Sequence, residues 1–233
     1  MAQLPLALGL GSHARFETFV AGANAAAVAH LRAVAADGAD ALWISGPAAS
    51  GKTHLLQAAC RSAAQAGRRA MYVTLEEHAA EPAILAGLES VDLLALDRVE
   101  RVAGDAAWER QLFVLFNEVA ARRGGLLLAA RRAAGAAGFV LPDLASRTVG
   151  AVAYHLQPLA DGDRLAALLA HANARGLELE RGAAEYLLHR VERDIVALCG
   201  WLDRLDRASL AEQRRLTIPF IRGQLAAEPA NGE

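Results

Sequence analysis

Gly46-Pro47-Ala48-Ala49-Ser50-Gly51-Lys52-Thr53 restricts what this chain can fold into more than any other segment. A glycine-rich turn closing on Gly-Lys-Thr cradles phosphate when a strand feeds it and a helix leaves it. Both flanks are present. Ala41-Leu42-Trp43-Ile44-Ser45 is a short apolar run that reads as a buried strand, and His54-Leu55-Leu56-Gln57-Ala58-Ala59-Cys60 has helical spacing without a breaker. In that setting backbone N–H groups and the helix N-terminus hold the anion. Gly46, Ser50, Gly51, Lys52 and Thr53 are the candidate contacts. Lys52 is the only lysine among 24 basic side chains. A chain that otherwise uses arginine keeps a lysine where a compact ammonium must fit between β- and γ-phosphates and a planar guanidinium would not. Thr53 would place its hydroxyl on Mg²⁺. The implied ligand is ADP or ATP with Mg²⁺.

The acidic partner is Asp97, at the end of the apolar run Val91-Asp92-Leu93-Leu94-Ala95-Leu96-Asp97. A carboxylate there meets the magnesium of a P-loop nucleotide. Hydrolytic P-loop ATPases with an additional strand carry a second acid at the next position, to orient the attacking water. Here it is Arg98, which cannot act as a base. Glu100 lies on the same face as Arg98 if the strand persists, and could substitute only if the backbone turns favourably. The site reads as one that binds nucleotide better than it cuts it.

The strands and helices alternate as far as residue 129. A helix is expected from Asn24 (as N-cap) to Ala36 with Gly38 as stop, another from Lys52 to about Gln65, a strand over Ala70–Thr74, and a short helix over 81–88 opened by Pro82. Asp105 caps a long helix through Arg122, whose Trp108, Leu112, Leu115, Phe116 and Val119 form one apolar stripe. Gly125–Ala129 is a further buried strand. This pattern gives an α/β fold with a doubly wound parallel sheet, its ligand at the carboxyl ends of the strands. After Leu159 only helices follow: one opened by Asp161 or Asp163 through Ala174, one over about 181–190, one over 192–206, and a last one capped by Thr217. The expected domains are residues 11–158 for the α/β part and 159–227 for a helical lid, with a polar tail at 228–233.

Composition excludes several classes. The formal net charge of −2 argues against strong nucleic-acid binding by the chain as a whole. The arginine pairs at 68–69, 122–123, 131–132 and 214–215 are dispersed and read mostly as solvated faces. Cys60 and Cys199 fall in helical stretches, as small core residues of a reducing compartment. No segment approaches the ~20 apolar residues needed to span a membrane. The N-terminus lacks a basic leader region, so a cytoplasmic location is expected.

Together these parts resemble the bacterial replication-initiator branch of the AAA+ ATPases, and within it the short regulatory members. The resemblance rests on Phe16-Glu17-Thr18-Phe19, Ala103-Gly104-Asp105 with Trp108-Glu109, Leu141-Pro142-Asp143-Leu144-Ala145-Ser146-Arg147, Leu156-Gln157-Pro158-Leu159, Leu205-Asp206-Arg207-Ala208-Ser209 and Leu216-Thr217-Ile218-Pro219-Phe220. It implies that Arg147 is an arginine finger reaching a neighbouring subunit's nucleotide, and that Arg193 is the lid arginine touching bound phosphate in cis. It also implies that residues 1–10 carry a peptide for the replicative sliding clamp. There Gln3 would hydrogen-bond at the edge of an apolar groove that Leu4, Leu6 and Leu8 enter, Pro5 favouring the extended form. The sensor position after the fourth strand departs from the family: Ala129-Ala130-Arg131 stands where relatives carry a polar residue. The implied partners are the clamp and the initiator, with DNA met only through the clamp. No helix-turn-helix domain is expected after the lid, and so no base readout of origin sequence. Self-association stays open. Two rival readings are an autonomous P-loop ATPase and a helicase-loader-type, ATP-dependent DNA-binding module.

Overall fold

The computed structural model describes residues 14–75, 82–191 and 195–227. They fall into two compact units: residues 23–158 with 14–16, and residues 159–227, less 192–194, with 17–22.

The first unit is a five-stranded parallel sheet in the order β2-β3-β4-β1-β5. The strands are β1 (Ala41–Ser45), β2 (Ala70–Thr74), β3 (Leu93–Asp97), β4 (Gly125–Ala129) and β5 (Val152–His155). Both central strands, β3 and β4, are buried along their whole length, as sheets covered on two faces require. Helices α1 (Ala25–Ala36), α2 (Lys52–Gln65), α3 (Ala106–Ala121) and α4 (Pro142–Val149) accompany the sheet. The expected stripe of α3 is buried throughout, and Trp108 packs in one core cluster with Trp43, Leu96 and Leu126. The Asp105 carboxylate accepts from the backbone N–H groups of Ala107 (2.8 Å) and Trp108 (3.2 Å), which fixes where α3 begins.

The second unit holds α5 (Asp161–Ala174), α6 (Arg181–Leu188), α7 (Ile195–Glu212) and α8 (Ile218–Ala226). Leu168, Leu187, Leu198, Leu202, Leu205 and Ile221 have no exposed surface and form its core. Thr217 caps α8 through its side chain, with Pro219 in the first turn. No helix among the described residues is long and apolar enough to cross a membrane.

Several expectations need correction. The segment from Pro82 forms no α-helix: it makes two 3₁₀ turns, Pro82–Leu85 and Leu88–Ser90, separated by Gly87 at φ 85°. Asn24 precedes α1 but caps nothing with its side chain. Its amide instead brackets Gln157, donating to the carbonyl (3.0 Å) and accepting from the N–H (2.8 Å). Helix α6 stops at Leu188, and α7 runs past Asp206 to Glu212. Strand β5 was not foreseen: it pairs only with β1, and Val152, Ala153 and His155 are exposed. Nor is Arg68 a solvated side chain. Its guanidinium donates to the carbonyls of Val34, Ala35, Gly38 and Asp92 at 2.6–3.3 Å.

Candidate nucleotide site

The chain leaves β1 through Gly46, where backbone approaches backbone closely. A Cβ on Gly46 would stand 2.7 Å from the Leu156 carbonyl oxygen and 2.8 Å from Ser50 Oγ. Ala49 (φ 57°) and Gly51 (φ 91°) then turn the loop through left-handed conformations, and α2 starts at Lys52. Gly51 has no side chain to cap the helix, so the first-turn N–H groups of α2 remain available to an anion. The Lys52 ammonium lies in the hollow of the loop. It donates to the carbonyls of Gly46 (2.8 Å) and Pro47 (2.6 Å) and to Ser50 Oγ (3.2 Å). Burial lowers its pKa; the charges of Asp97 and Glu100 raise it, and those of Arg131 and Arg98 lower it again. These groups fit a di- or triphosphate: fixed N–H dipoles, one ammonium in the hollow of the loop, and a hydroxyl-carboxylate pair for a magnesium ion.

That pair is Thr53 and Asp97. Asp97 is 2% exposed, and its Oδ2 accepts from Thr53 Oγ1 at 2.5 Å. The same oxygen accepts from the Tyr72 hydroxyl at 3.0 Å, while Oδ1 accepts from the Arg98 N–H at 2.8 Å. Tyr72 was missed by sequence reading. Its register holds the missing signal: Thr74 pairs with Asp97 across β2 and β3, so Tyr72, two residues earlier, shares the Asp97 face. Burial first, then the charge and hydrogen bond of Asp97, raise the phenol pKa.

The strand does not persist beyond Asp97. Arg98 adopts φ 59°, and a 3₁₀ turn over Val99–Arg101 follows. The turn carries Glu100 toward the sensor segment. Its Oε1 accepts from the Arg131 N–H at 3.3 Å, and its buried Oε2 has no hydrogen-bond partner among the described residues. At the sensor position, Ala129 and Ala130 are buried and Arg131 is exposed.

Arg147 lies in the last turn of α4 and is exposed, outside the Lys52–Thr53–Asp97 cluster. The start of α4 is fixed by Glu109, a fully buried carboxylate on α3. It accepts from the N–H groups of Gly104 (2.7 Å), Val140 (3.0 Å) and Leu141 (2.6 Å). In the sequence Glu109 stands out only as part of the family resemblance. A lone carboxylate beside an apolar stripe was the available sign that buried donors needed it. Gln3, Leu4, Leu6, Leu8 and Arg193 lie outside the described residues.

A parallel sheet of this strand order, a P-loop after β1, an aspartate closing β3 and a helical unit later in the chain define a P-loop nucleotide-binding protein of the AAA+ class. The chain belongs to the family of the bacterial DnaA ATPase domain, whose model matches residues 10–148, and residues 161–225 match the Hda lid domain. It is therefore an Hda-like, DnaA-homologous AAA+ protein. Domain III of the Thermotoga maritima replication initiation protein DnaA superposes with a TM-score of 0.76 at 21% identity, covering 96% of this chain and 98% of that one. The AMPPCP-bound DnaA of Aquifex aeolicus gives 0.69 at 25% identity, covering 84% of this chain and 66% of its own. A Thermotoga maritima RuvB variant gives 0.61 at 16% identity over 89% of this chain and 67% of its own, a likeness of fold alone.

Proposed function

We propose that this chain is a negative regulator of replication initiation that lends an arginine to the initiator's ATP. Residues 3–8 tether it to the sliding clamp on DNA. Its AAA+ unit docks on ATP-bound DnaA, Arg147 completes the initiator's catalytic site, and the initiator is left in its inactive ADP form. The observation that carries this reading is the contrast between two sites. Arg147 is exposed at the end of a helix that the buried Glu109 holds in place. The chain's own nucleotide site has arginine after Asp97 and alanines at the sensor position. A guanidinium supplied in trans stabilises charge on the transferring phosphoryl group, worth about 10³–10⁵ in rate in other systems. Val140, just before α4, and Val149, its last residue, are exposed at 63% and 60% and offer apolar surface for docking.

The nucleotide at Lys52 is structural, most plainly ADP, held by Gly46, Ser50, Gly51, Lys52 and Thr53, with Arg193 reaching it from the lid. Magnesium, where bound, takes Thr53 and Asp97. A bound nucleotide stabilises the folded state by about 4 kcal/mol at a thousandfold excess over Kd. That retains a binding site without turnover. The Aquifex aeolicus relative, bound to AMPPCP, supports a nucleotide in this pocket.

The test is hydrolysis of ATP preloaded on DnaA, with clamp on DNA and the chain added as wild type, Arg147→Ala or Gln3→Ala. Both variants should fail to accelerate hydrolysis, Arg147→Ala while still binding the clamp. A fully active Arg147→Ala would sink the finger assignment. Steady ATP hydrolysis by the chain alone, lost on Lys52→Ala, would favour the autonomous ATPase instead.

A further inference from the structure

Two arginine pairs that are far apart in sequence meet in space. Arg68–Arg69 precede β2 and Arg122–Arg123 precede β4, while Ser90 and Asp92 precede the strand between them. All six line one open groove of about 410 Å³. Because the sheet is parallel, this groove lies at its amino-terminal edge, opposite the P-loop at the carboxyl ends. Four arginines against one aspartate leave the lining a formal charge of +3 on a chain whose net charge is −2.

The four guanidinium groups do different things. Arg68 forms a fixed wall, spent on the carbonyls at the end of α1 and on Asp92. Arg69 is paired with Asp92, Nη2 to Oδ1 at 3.1 Å and backbone N–H to Oδ2 at 2.8 Å. Arg122 and Arg123, both exposed, make no side-chain hydrogen bond or ion pair among the described residues. Arg123 sits at φ 55°, in the left-handed region, just past the end of α3. The partial negative charge at the end of α3 offsets these cations only in part.

We infer that this groove binds the phosphodiester backbone of duplex DNA. Planar guanidinium forks match phosphate bidentately, whereas the Ser90 hydroxyl at the rim already donates to the Gly87 carbonyl at 2.8 Å. The lining carries no aromatic side chain on which unpaired bases could stack, which disfavours a single strand. Val91 is its only large apolar residue, too little to anchor an acidic peptide. Such contacts position without reading sequence. The site adds a direct DNA contact to a protein proposed above to meet DNA through the clamp, and it does not depend on that proposal.

The test is fluorescence anisotropy of the full chain with a labelled duplex, without clamp, over a series of NaCl concentrations. Arg122→Ser/Arg123→Asn is the test variant, since asparagine tolerates the left-handed backbone at 123. Arg214→Ser/Arg215→Ser makes the same charge change on the helical unit. With two phosphate contacts removed, the slope of log K against log [salt] should shrink by about 2, and binding at 0.1 M salt should weaken roughly fiftyfold. The control pair should bind as wild type. Equal weakening by both pairs would reduce the effect to net charge and overturn the site. So would binding of poly-glutamate or of single-stranded DNA as tight as the duplex and equally dependent on Arg122 and Arg123.

Discussion

Glu109 is the side chain whose removal should cost this fold most for its size. It is fully buried and accepts from three backbone N–H groups that no other acceptor serves among the described residues: Gly104, Val140 and Leu141. In Glu109→Ala those donors lose their acceptor together. An unsatisfied buried donor costs about 1–3 kcal/mol. Val140 is 63% exposed, so water can reach its N–H in the variant, and the lower end applies. Three donors at about 1 kcal/mol each give a loss of about 3 kcal/mol, a large fraction of a typical stability of 5–15 kcal/mol. Glu109→Gln keeps one oxygen acceptor but turns an NH₂ toward an N–H, and should lose about half as much. The assay is urea unfolding followed by tryptophan fluorescence, to which Trp43 and Trp108 contribute from the core of the first unit. With a slope of about 2 kcal/mol per molar urea, Glu109→Ala moves the midpoint down by about 1.5 M. A shift below about 0.3 M would mean that water replaces the carboxylate without cost, and the account of the α3–α4 junction would be wrong. The same variant should also lose stimulation of DnaA, because the start of α4 sets where Arg147 points.

Three further outcomes are expected. Gly46→Ala puts a Cβ 2.7 Å from the Leu156 carbonyl oxygen, a backbone atom that cannot swing away; nucleotide affinity, titrated with a fluorescent analogue, should fall roughly tenfold or more. Asn24→Ala removes both bonds to Gln157 and should cost about 1–2 kcal/mol in urea unfolding, whereas a helix cap of ordinary kind would show its loss as fraying of α1 by circular dichroism. Burial pushes the Cys60 thiol up to about 12 from 9.0. The folded state therefore holds this proton more tightly than the unfolded one, and the resulting stability is intact below pH 9 and lost as pH rises toward 12. Relative to Cys60→Ala, wild type should lose about 1.4 kcal/mol per pH unit above pH 9, and a pH-independent difference would contradict this.

The limits of β1, α2, β2 and β4 follow from the residues themselves, because apolar runs there are bounded by glycine, by the P-loop turn or by charged residues. Strand β5 escapes such reading for a physical reason. It lies at the sheet edge with three of four residues exposed, so it has no buried run to betray it. The two turns around Gly87 look helical in composition, and only the positive φ at that glycine breaks them. At the site, Lys52, Thr53 and Asp97 are legible because phosphate and magnesium chemistry fixes residue type and spacing. Tyr72 and Glu109 are not, because each acts through a partner distant in sequence. The groove of Arg68, Arg69, Arg122 and Arg123 is hidden for the same reason: parallel topology gathers loops that the chain order separates.

The central claim is a division of labour, with nucleotide held at Lys52 and hydrolysis promoted elsewhere by Arg147. A single-turnover experiment tests it most directly, with ³²P on the γ-phosphate placed first on the chain's own ATP and then on the ATP of DnaA, clamp and DNA present in both. Label on DnaA should be released rapidly and only when Arg147 is present, while label on the chain should stay bound over the same interval. Rapid release from the chain itself, abolished by Lys52→Ala and indifferent to Arg147→Ala, would contradict the account.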